Sequence, residues 1–124
     1  MKNVDWLYRR NSCTSCKRAE DFLESHKIAV ENTVDCKKHP LKPDDLIERL
    51  SSVERVLITK GRKLLELDPS SDREEIVSIA IGRSGNLRAP SLQKGGLLIV
   101  GFWKRPTSKY RAFVYKFAKT GLTN

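Results

Sequence analysis

Two cysteines stand three positions apart in the run Cys13-Thr14-Ser15-Cys16. When such a pair begins a helix, the first sulfur lies beside unpaired backbone N–H groups and the positive end of the helix dipole, which stabilise its thiolate. The second sulfur lies one turn later, within reach of a disulfide with the first. We therefore predict that Cys13 is a nucleophile and that Cys16 is the resolving thiol, which releases a mixed disulfide by intramolecular attack. A pair of inert, packed cysteines is the structural alternative.

The residues around the pair are predicted to support the thiolate. Ser12 directly precedes Cys13 and is a residue type that caps helices. Arg9, Arg10 and Lys17 bring positive charge close to Cys13, which favours the ionised form of a thiol.

A second pair of metal-ligand residues, Cys36 and His39, begins after nineteen intervening residues. Cys13, Cys16, Cys36 and His39 together have the spacing of a three-sulfur, one-nitrogen zinc site. The interval is long enough for a helix and a strand, whereas zinc ribbons fill it with a tight hairpin, so zinc binding is an alternative hypothesis. Cys36 by itself could also be a third redox thiol that takes over the disulfide from Cys13, or a small residue at the end of a strand.

The elements that position the cysteines follow from the spacing of the apolar residues. Residues 4–8 are predicted to form a strand, a helix is predicted to begin at the cysteines, and residues 28–34 are predicted to form a second strand. A β-α-β unit of this kind makes its two strands parallel. Cys13 and Cys36 are therefore expected at the same end of the sheet.

The rest of the chain is predicted to form an insertion over about residues 36–82 and a terminal β-β-α unit. Within the insertion we predict helices over 44–50 and 73–81 and a hairpin over 55–67 that turns at Lys60-Gly61, with a helix over 63–67 as the alternative. The terminal unit is predicted to contain strands at 90–93 and 97–102 and a helix that begins at Pro106 and stops at Gly121.

Composition and charge narrow the class of protein. The 124 residues, 31% of them charged, are predicted to form one domain, and no segment is apolar over a length that could span a bilayer, so a cytoplasmic protein is expected. Residues 83–124 contain nine basic and no acidic side chains. This basic last third would attract an acidic protein partner, and a solvated basic face that only aids solubility is the alternative. Direct DNA binding is not predicted, because no helix-turn-helix, zinc finger or base-stacking motif accompanies the charge.

Two segments resemble a known family. The run Ser12-Cys13-Thr14-Ser15-Cys16-Lys17-Arg18-Ala19 is similar to the signature of the Spx transcription regulators, and Leu87-Arg88-Ala89-Pro90 precedes a two-stranded ending as in the wider arsenate reductase (ArsC) and Spx group. The resemblance covers most of residues 4–103. It implies an α/β fold of the thioredoxin-like (glutaredoxin-like) type, with a mixed four-stranded sheet flanked by helices and the insertion between its βαβ and ββα halves.

The resemblance also implies roles for individual residues. Cys13 would be the reactive thiol, Cys16 its disulfide partner, and Ala89-Pro90 a cis peptide facing them, with Pro90 shaping the substrate groove. Arsenate reductases of this group hold their oxyanion with three arginines, and the corresponding positions here are Ala89, Gly101 and Lys60. Arg88, displaced by one residue, and Lys60 are the remaining candidates for contact with a substrate or an anion. They cannot rebuild a planar bidentate clamp, so arsenate reduction is not expected.

The function predicted from the sequence is cytosolic thiol–disulfide exchange on a protein or glutathione disulfide, with glutathione or thioredoxin as the reductant and no bound cofactor. The first alternative is a redox sensor of the Spx type, which binds a subunit of RNA polymerase and has no enzymatic activity. The second alternative is the zinc-binding domain described above.

Overall fold

The computed structural model describes residues 3–25, 27–61 and 63–101. In chain order the elements are β1 (Asn3–Arg9), α1 (Thr14–Ser25), β2 (Ala29–Asp35), α2 (Pro43–Leu50), β3 (Arg55–Lys60), β4 (Lys63–Leu67), α3 (Arg73–Ala80), β5 (Ser91–Lys94) and β6 (Leu97–Val100). The helix predicted to begin at Pro106 lies outside the described residues, as do six of the nine basic side chains of the last third. None of the helices in the described ranges is long and apolar enough to cross a membrane.

The strands form one mixed sheet in the order β2-β1-β5-β6-β3-β4. β1 is parallel to β2, and β3 is parallel to β6, while the remaining neighbours are antiparallel. It follows that β1, β2, β3 and β6 all run in the same direction and end at one edge of the sheet. The segments after β1 and β2 and the segment before β5 meet at this edge, which carries Cys13, Cys36 and Pro90.

The predicted β-α-β unit is confirmed, with β1 and β2 parallel on either side of α1 in the chain. The predicted hairpin is also confirmed, because residues 63–67 form a strand that pairs with β3 and not a helix. Gly61 allows the tight turn between the two arms, since its φ of +60° is a left-handed conformation that glycine adopts without steric strain.

The predicted number of strands is wrong, since the sheet has six rather than four. The hairpin of the insertion joins the main sheet through parallel pairing of β3 with β6. The physical reason lies in β3, where Val56, Leu57, Ile58 and Thr59 are all buried. A strand that is buried on both faces needs a sheet neighbour on at least one side and a packed layer above and below it.

The helices cover the two faces of the sheet. Successive strand residues divide between two cores, as Leu57 and Ile58 illustrate, because side chains alternate across a strand. Ala19 and Leu23 of α1 pack in the core that contains Leu57. The opposite core contains Ile58 together with apolar residues of the other two helices, namely Leu46 and Leu50 of α2 and Ile76 and Ala80 of α3.

Two aromatic side chains of β1 attach the insertion to the sheet. The rings of Trp6 and Tyr8 are stacked with centroids 5.7 Å apart, and the Arg49 guanidinium of α2 lies 3.6 Å from the Trp6 ring. The backbone N–H of Leu41 donates a hydrogen bond to the Tyr8 hydroxyl oxygen at 3.0 Å. These contacts fix the start of the insertion beside the strand that leads to Cys13.

Candidate active site

Cys13 occupies the N-cap position of α1. Its carbonyl oxygen accepts the Lys17 N–H at 3.0 Å, and its Sγ accepts the backbone N–H of Cys16 at 3.2 Å. The sulfur thus takes the place of the side-chain oxygen that usually satisfies a free N–H in the first turn. Ser12, predicted to cap the helix, instead forms the preceding turn with a left-handed φ of 58°. The capping residue and the candidate nucleophile are therefore the same side chain.

Cys16 lies behind Cys13 and is almost completely buried, with 1% of its surface exposed. Burial, and then the hydrogen bond with Cys13, raise the pKa of the Cys16 thiol to about 12. The backbone hydrogen bond from Arg10 and the Arg10 charge act in the opposite direction but do not compensate. Cys16 is consequently a protonated thiol at neutral pH and is shielded from solvent.

A short wall of backbone faces Cys13 from the other side of the site. The predicted cis peptide between Ala89 and Pro90 is present, and the Cys13 thiol points at the Ala89 carbonyl oxygen with a sulfur–oxygen distance of 4.0 Å. The Pro90 carbonyl accepts the Gly101 N–H at 2.7 Å, which ties the wall to the end of β6. We refer to Ala89 and Pro90 as the Ala89–Pro90 wall.

The three basic residues that were predicted to stabilise the Cys13 thiolate have different surroundings. Arg9 donates from Nε to Glu20 at 2.8 Å and from Nη1 to Asn11 at 2.9 Å, and its hydrogen bond with Glu20 raises its pKa. Arg10 lowers the pKa of Cys16, as described above. Lys17 is exposed one turn along α1 from Cys13.

An open depression leads from solvent to Cys13. Its lining combines two basic side chains, three acidic ones and three small polar or sulfur-containing ones, namely Arg9, Lys17, Glu20, Asp21, Glu24, Ser12, Cys13 and Thr14. Cys13 is partly exposed there, whereas Cys16 is not part of the lining. Of the two sulfurs, the first is therefore the one that this depression opens to solvent.

Cys36 and His39 follow β2 at the same edge of the sheet. The Cys36 N–H donates to the Arg9 carbonyl at 2.8 Å, and burial, followed by the neighbouring Asp35 charge, raises the pKa of the Cys36 thiol. His39 is exposed. Within the described ranges, which include all four residues of the zinc hypothesis, no three His, Cys, Asp or Glu side chains are close enough together to hold a metal ion.

Arg88 and Lys60, predicted to contact a substrate or an anion, have different surroundings. The Arg88 guanidinium donates to the Thr59 carbonyl at 2.8 Å, to Thr59 Oγ1 at 3.0 Å and to the Ile79 carbonyl at 3.4 Å. Lys60 is exposed at the end of β3, where it pairs in register with Lys63. Arg88 is therefore bound to the protein itself at the end of β3.

Sequence reasoning missed Thr59 and Glu20, which hold Arg88 and Arg9 in place. Thr59 had a detectable signal, because it is a polar residue that continues the apolar run Val56-Leu57-Ile58 of a buried strand. A buried hydroxyl requires a hydrogen-bonding partner, which Arg88 provides. Glu20 gave no such signal, because it is one of many charged residues on the polar side of α1.

No protein-family model matches this chain, and a search of curated proteins finds no match.

Proposed function

We propose that this protein is a thiol–disulfide oxidoreductase in which Cys13 attacks a substrate disulfide and Cys16 resolves the product. The observation that carries the proposal is the arrangement of the two sulfurs. Cys13 is accessible at the N-cap and accepts a hydrogen bond from an N–H of the first turn, while Cys16 is buried behind it, three residues later. Such an arrangement leaves the first sulfur open to a substrate disulfide and protects the second from side reactions.

The reaction consists of two exchanges. The Cys13 thiolate attacks one sulfur of the substrate, the substrate S–S bond breaks, and the leaving thiolate takes up a proton from water. Cys16 then loses its proton to water and attacks the Cys13 sulfur, which forms the Cys13–Cys16 disulfide and releases the second substrate thiol. The substrate disulfide is reduced by two electrons and the cysteine pair is oxidised by two, so an external thiol such as glutathione or thioredoxin must restore the dithiol.

The Ala89–Pro90 wall supports this proposal from the substrate side. Its carbonyl at Ala89 lies beside the reacting sulfur, where it can accept a hydrogen bond from an extended substrate segment that crosses the site. Proline contributes no N–H that would pair with the wall's own neighbours. A protein disulfide or a glutathione mixed disulfide fits this description.

The topology supports a thioredoxin-like fold and relationship to the arsenate reductase and Spx group. The helix of a β-α-β unit begins at the cysteine pair, and an antiparallel β5–β6 pair follows the cis proline that faces it. The β3–β4 hairpin is an addition at the β6 side, so it extends the sheet away from the cysteines. We propose a cytoplasmic location for this thiol chemistry, because dithiols are kept reduced there.

The direct test is reduction of insulin disulfides by the purified protein with glutathione as the electron source. We expect catalysed turnover, and we expect Cys13 and Cys16 to oxidise and reduce together in a titration through glutathione buffers, read by alkylation and mass spectrometry. Reversible oxidation without turnover would show that the protein is a redox sensor and not an enzyme. Protection of both cysteines by one equivalent of zinc would overturn the proposed chemistry.

The resolving step should depend steeply on pH. Burial is the largest cause of the raised pKa of Cys16 and persists when Cys13 carries an adduct, so the reactive thiolate fraction of Cys16 increases with pH throughout the range in which the protein can be studied. Release of a thionitrobenzoate mixed disulfide from Cys13 should therefore accelerate roughly tenfold per pH unit. Stopped-flow absorbance of the released thiolate measures this rate. A plateau that begins near the ordinary thiol pKa of about 8.5 would show that Cys16 is not shifted.

A further inference from the structure

Arg88 is bound to its surroundings by both its side chain and its backbone. The guanidinium donates two hydrogen bonds to Thr59, to Oγ1 at 3.0 Å and to the carbonyl at 2.8 Å. The Arg88 N–H donates to the Ala80 carbonyl at 2.8 Å, and the Arg88 carbonyl accepts the Ser91 hydroxyl at 2.7 Å. One residue therefore joins the end of β3, the end of α3 and the start of β5.

The next residue along the chain is part of the active site. Ala89 follows Arg88 directly, and its carbonyl is the group 4.0 Å from Cys13 Sγ. Only one planar peptide unit and the Ala89 Cα separate the Arg88 backbone from this carbonyl, so the position of Arg88 restricts where the carbonyl can lie. The contacts of the Arg88 side chain thus limit where the wall can lie.

Gly101 leaves the space that the Arg88–Thr59 pair needs. A Cβ at position 101 would lie 2.1 Å from Thr59 Oγ1 and 2.9 Å from Arg88 Nη2. The same glycine donates its N–H to the Pro90 carbonyl at 2.7 Å. The pair and the wall are therefore fixed to each other at the end of β6 as well as along the chain.

We propose that Arg88 is a positioning residue that holds the Ala89–Pro90 wall in register with Cys13 for docking of a polypeptide disulfide. This inference rests on the proposed function and adds a residue to it that touches neither the substrate nor the sulfurs. A substrate segment has to lie along the wall for its disulfide to reach Cys13, whereas a small alkylating reagent reaches Cys13 through the open depression. Replacement of Arg88 should therefore slow the reaction with a polypeptide disulfide and leave the alkylation of Cys13 unchanged.

The experiment compares Arg88→Lys with the unaltered protein in two assays at a temperature where both are folded. Lysine keeps the charge but cannot donate to two Thr59 oxygens from one planar group. We expect kcat/KM for insulin disulfides to fall about tenfold or more, since small misplacements of reacting groups have effects of that size. The rate constant for iodoacetamide at Cys13 should change less than twofold.

Two further variants keep the inference falsifiable if Arg88→Lys does not fold. Thr59→Val removes the hydroxyl that accepts from Nη2 and should reproduce the selective loss, while Thr59→Ser retains the hydroxyl and should restore insulin reduction. Arg55→Lys is the matched arginine control, because Arg55 pairs with exposed Glu66 at 2.9 Å on the hairpin.

The outcomes separate the inference from the function it depends on. Insulin reduction within twofold of normal in folded Arg88→Lys or Thr59→Val would overturn the positioning role and leave the oxidoreductase intact. An equal loss in both assays would overturn it too, because it would show a general effect on Cys13. Absence of insulin reduction by the unaltered protein would instead overturn the proposed function.

Discussion

Replacement of Cys16 by serine should turn the protein from a catalyst into a trap for its substrate. Cys13 would still attack the disulfide, but no thiol would stand behind it to release the product, so one covalent adduct per chain should accumulate. Turnover of insulin disulfides should fall to the uncatalysed rate. Non-reducing electrophoresis followed by mass spectrometry of the adduct measures both the amount of trapped substrate and the cysteine that carries it.

Two cysteine variants complete this test. Cys13→Ser should abolish both turnover and adduct formation, because an alcohol at the N-cap is not ionised and cannot replace the thiolate. Cys36→Ser is the matched control, since Cys36 takes no part in the proposed steps, and it should retain turnover. Adducts on Cys36 in the Cys16→Ser protein, or normal turnover by Cys13→Ser, would contradict the assignment of Cys13 as the nucleophile.

Gly101→Ala should be among the most destabilising single-methyl additions in the described part of the chain. The alanine would have to keep a left-handed φ of +90°, and its Cβ would lie 2.1 Å from Thr59 Oγ1. The hydroxyl could move away only by rotating the β-branched Thr59 side chain, which would break its bond with Arg88. Conformational strain and overpacking together should lower the free energy of unfolding by about 2–5 kcal/mol.

Gly85→Ala is a control that measures the cost of the left-handed backbone conformation without overpacking. Its φ of +84° is similar, but a Cβ there would meet nothing within 4 Å. The free energy of unfolding should therefore fall only by the cost of the left-handed conformation, about 1–2 kcal/mol. Since 1 kcal/mol corresponds to about 3–6 °C in a chain of this size, thermal unfolding followed by circular dichroism separates the two variants. Equal melting temperatures would show that the space beside Thr59 and Arg88 is not tightly filled.

The local elements and the cysteine pair could be predicted because their signals lie close together in the sequence. The apolar spacing after Cys16 and the β-prone segments before and after it define α1, β1 and β2 to within a few residues. The turn at Lys60-Gly61 likewise identified the hairpin. The cis peptide Ala89–Pro90 was expected from a resemblance, not from any rule of spacing, and the structure confirms the cis bond and places its Ala89 carbonyl beside Cys13.

What could not be predicted depends on contacts between distant parts of the chain. The sheet has six strands because β3 pairs with β6, some forty residues later in the chain. No local sequence pattern specifies that partner. The hydrogen bonds of Arg88 depend on Thr59, 29 positions earlier, and no local pattern identifies that partner. The cap of α1 was assigned to Ser12 because serine is the commoner capping residue, although Cys13 sulfur accepts the N–H.

The order of the strands has a consequence for association between copies of the protein. In the described part of the chain, β2 and β4 border the sheet, and a bordering strand can template pairing with a second molecule. Both carry exposed polar or charged side chains, among them Glu31 and Asn32 on β2 and Lys63 and Glu66 on β4. Charges at sheet borders discourage edge-to-edge aggregation. If Cys13 reacts with extended substrate segments as proposed, the polar borders of the sheet keep a second copy of the chain from pairing there in place of a substrate.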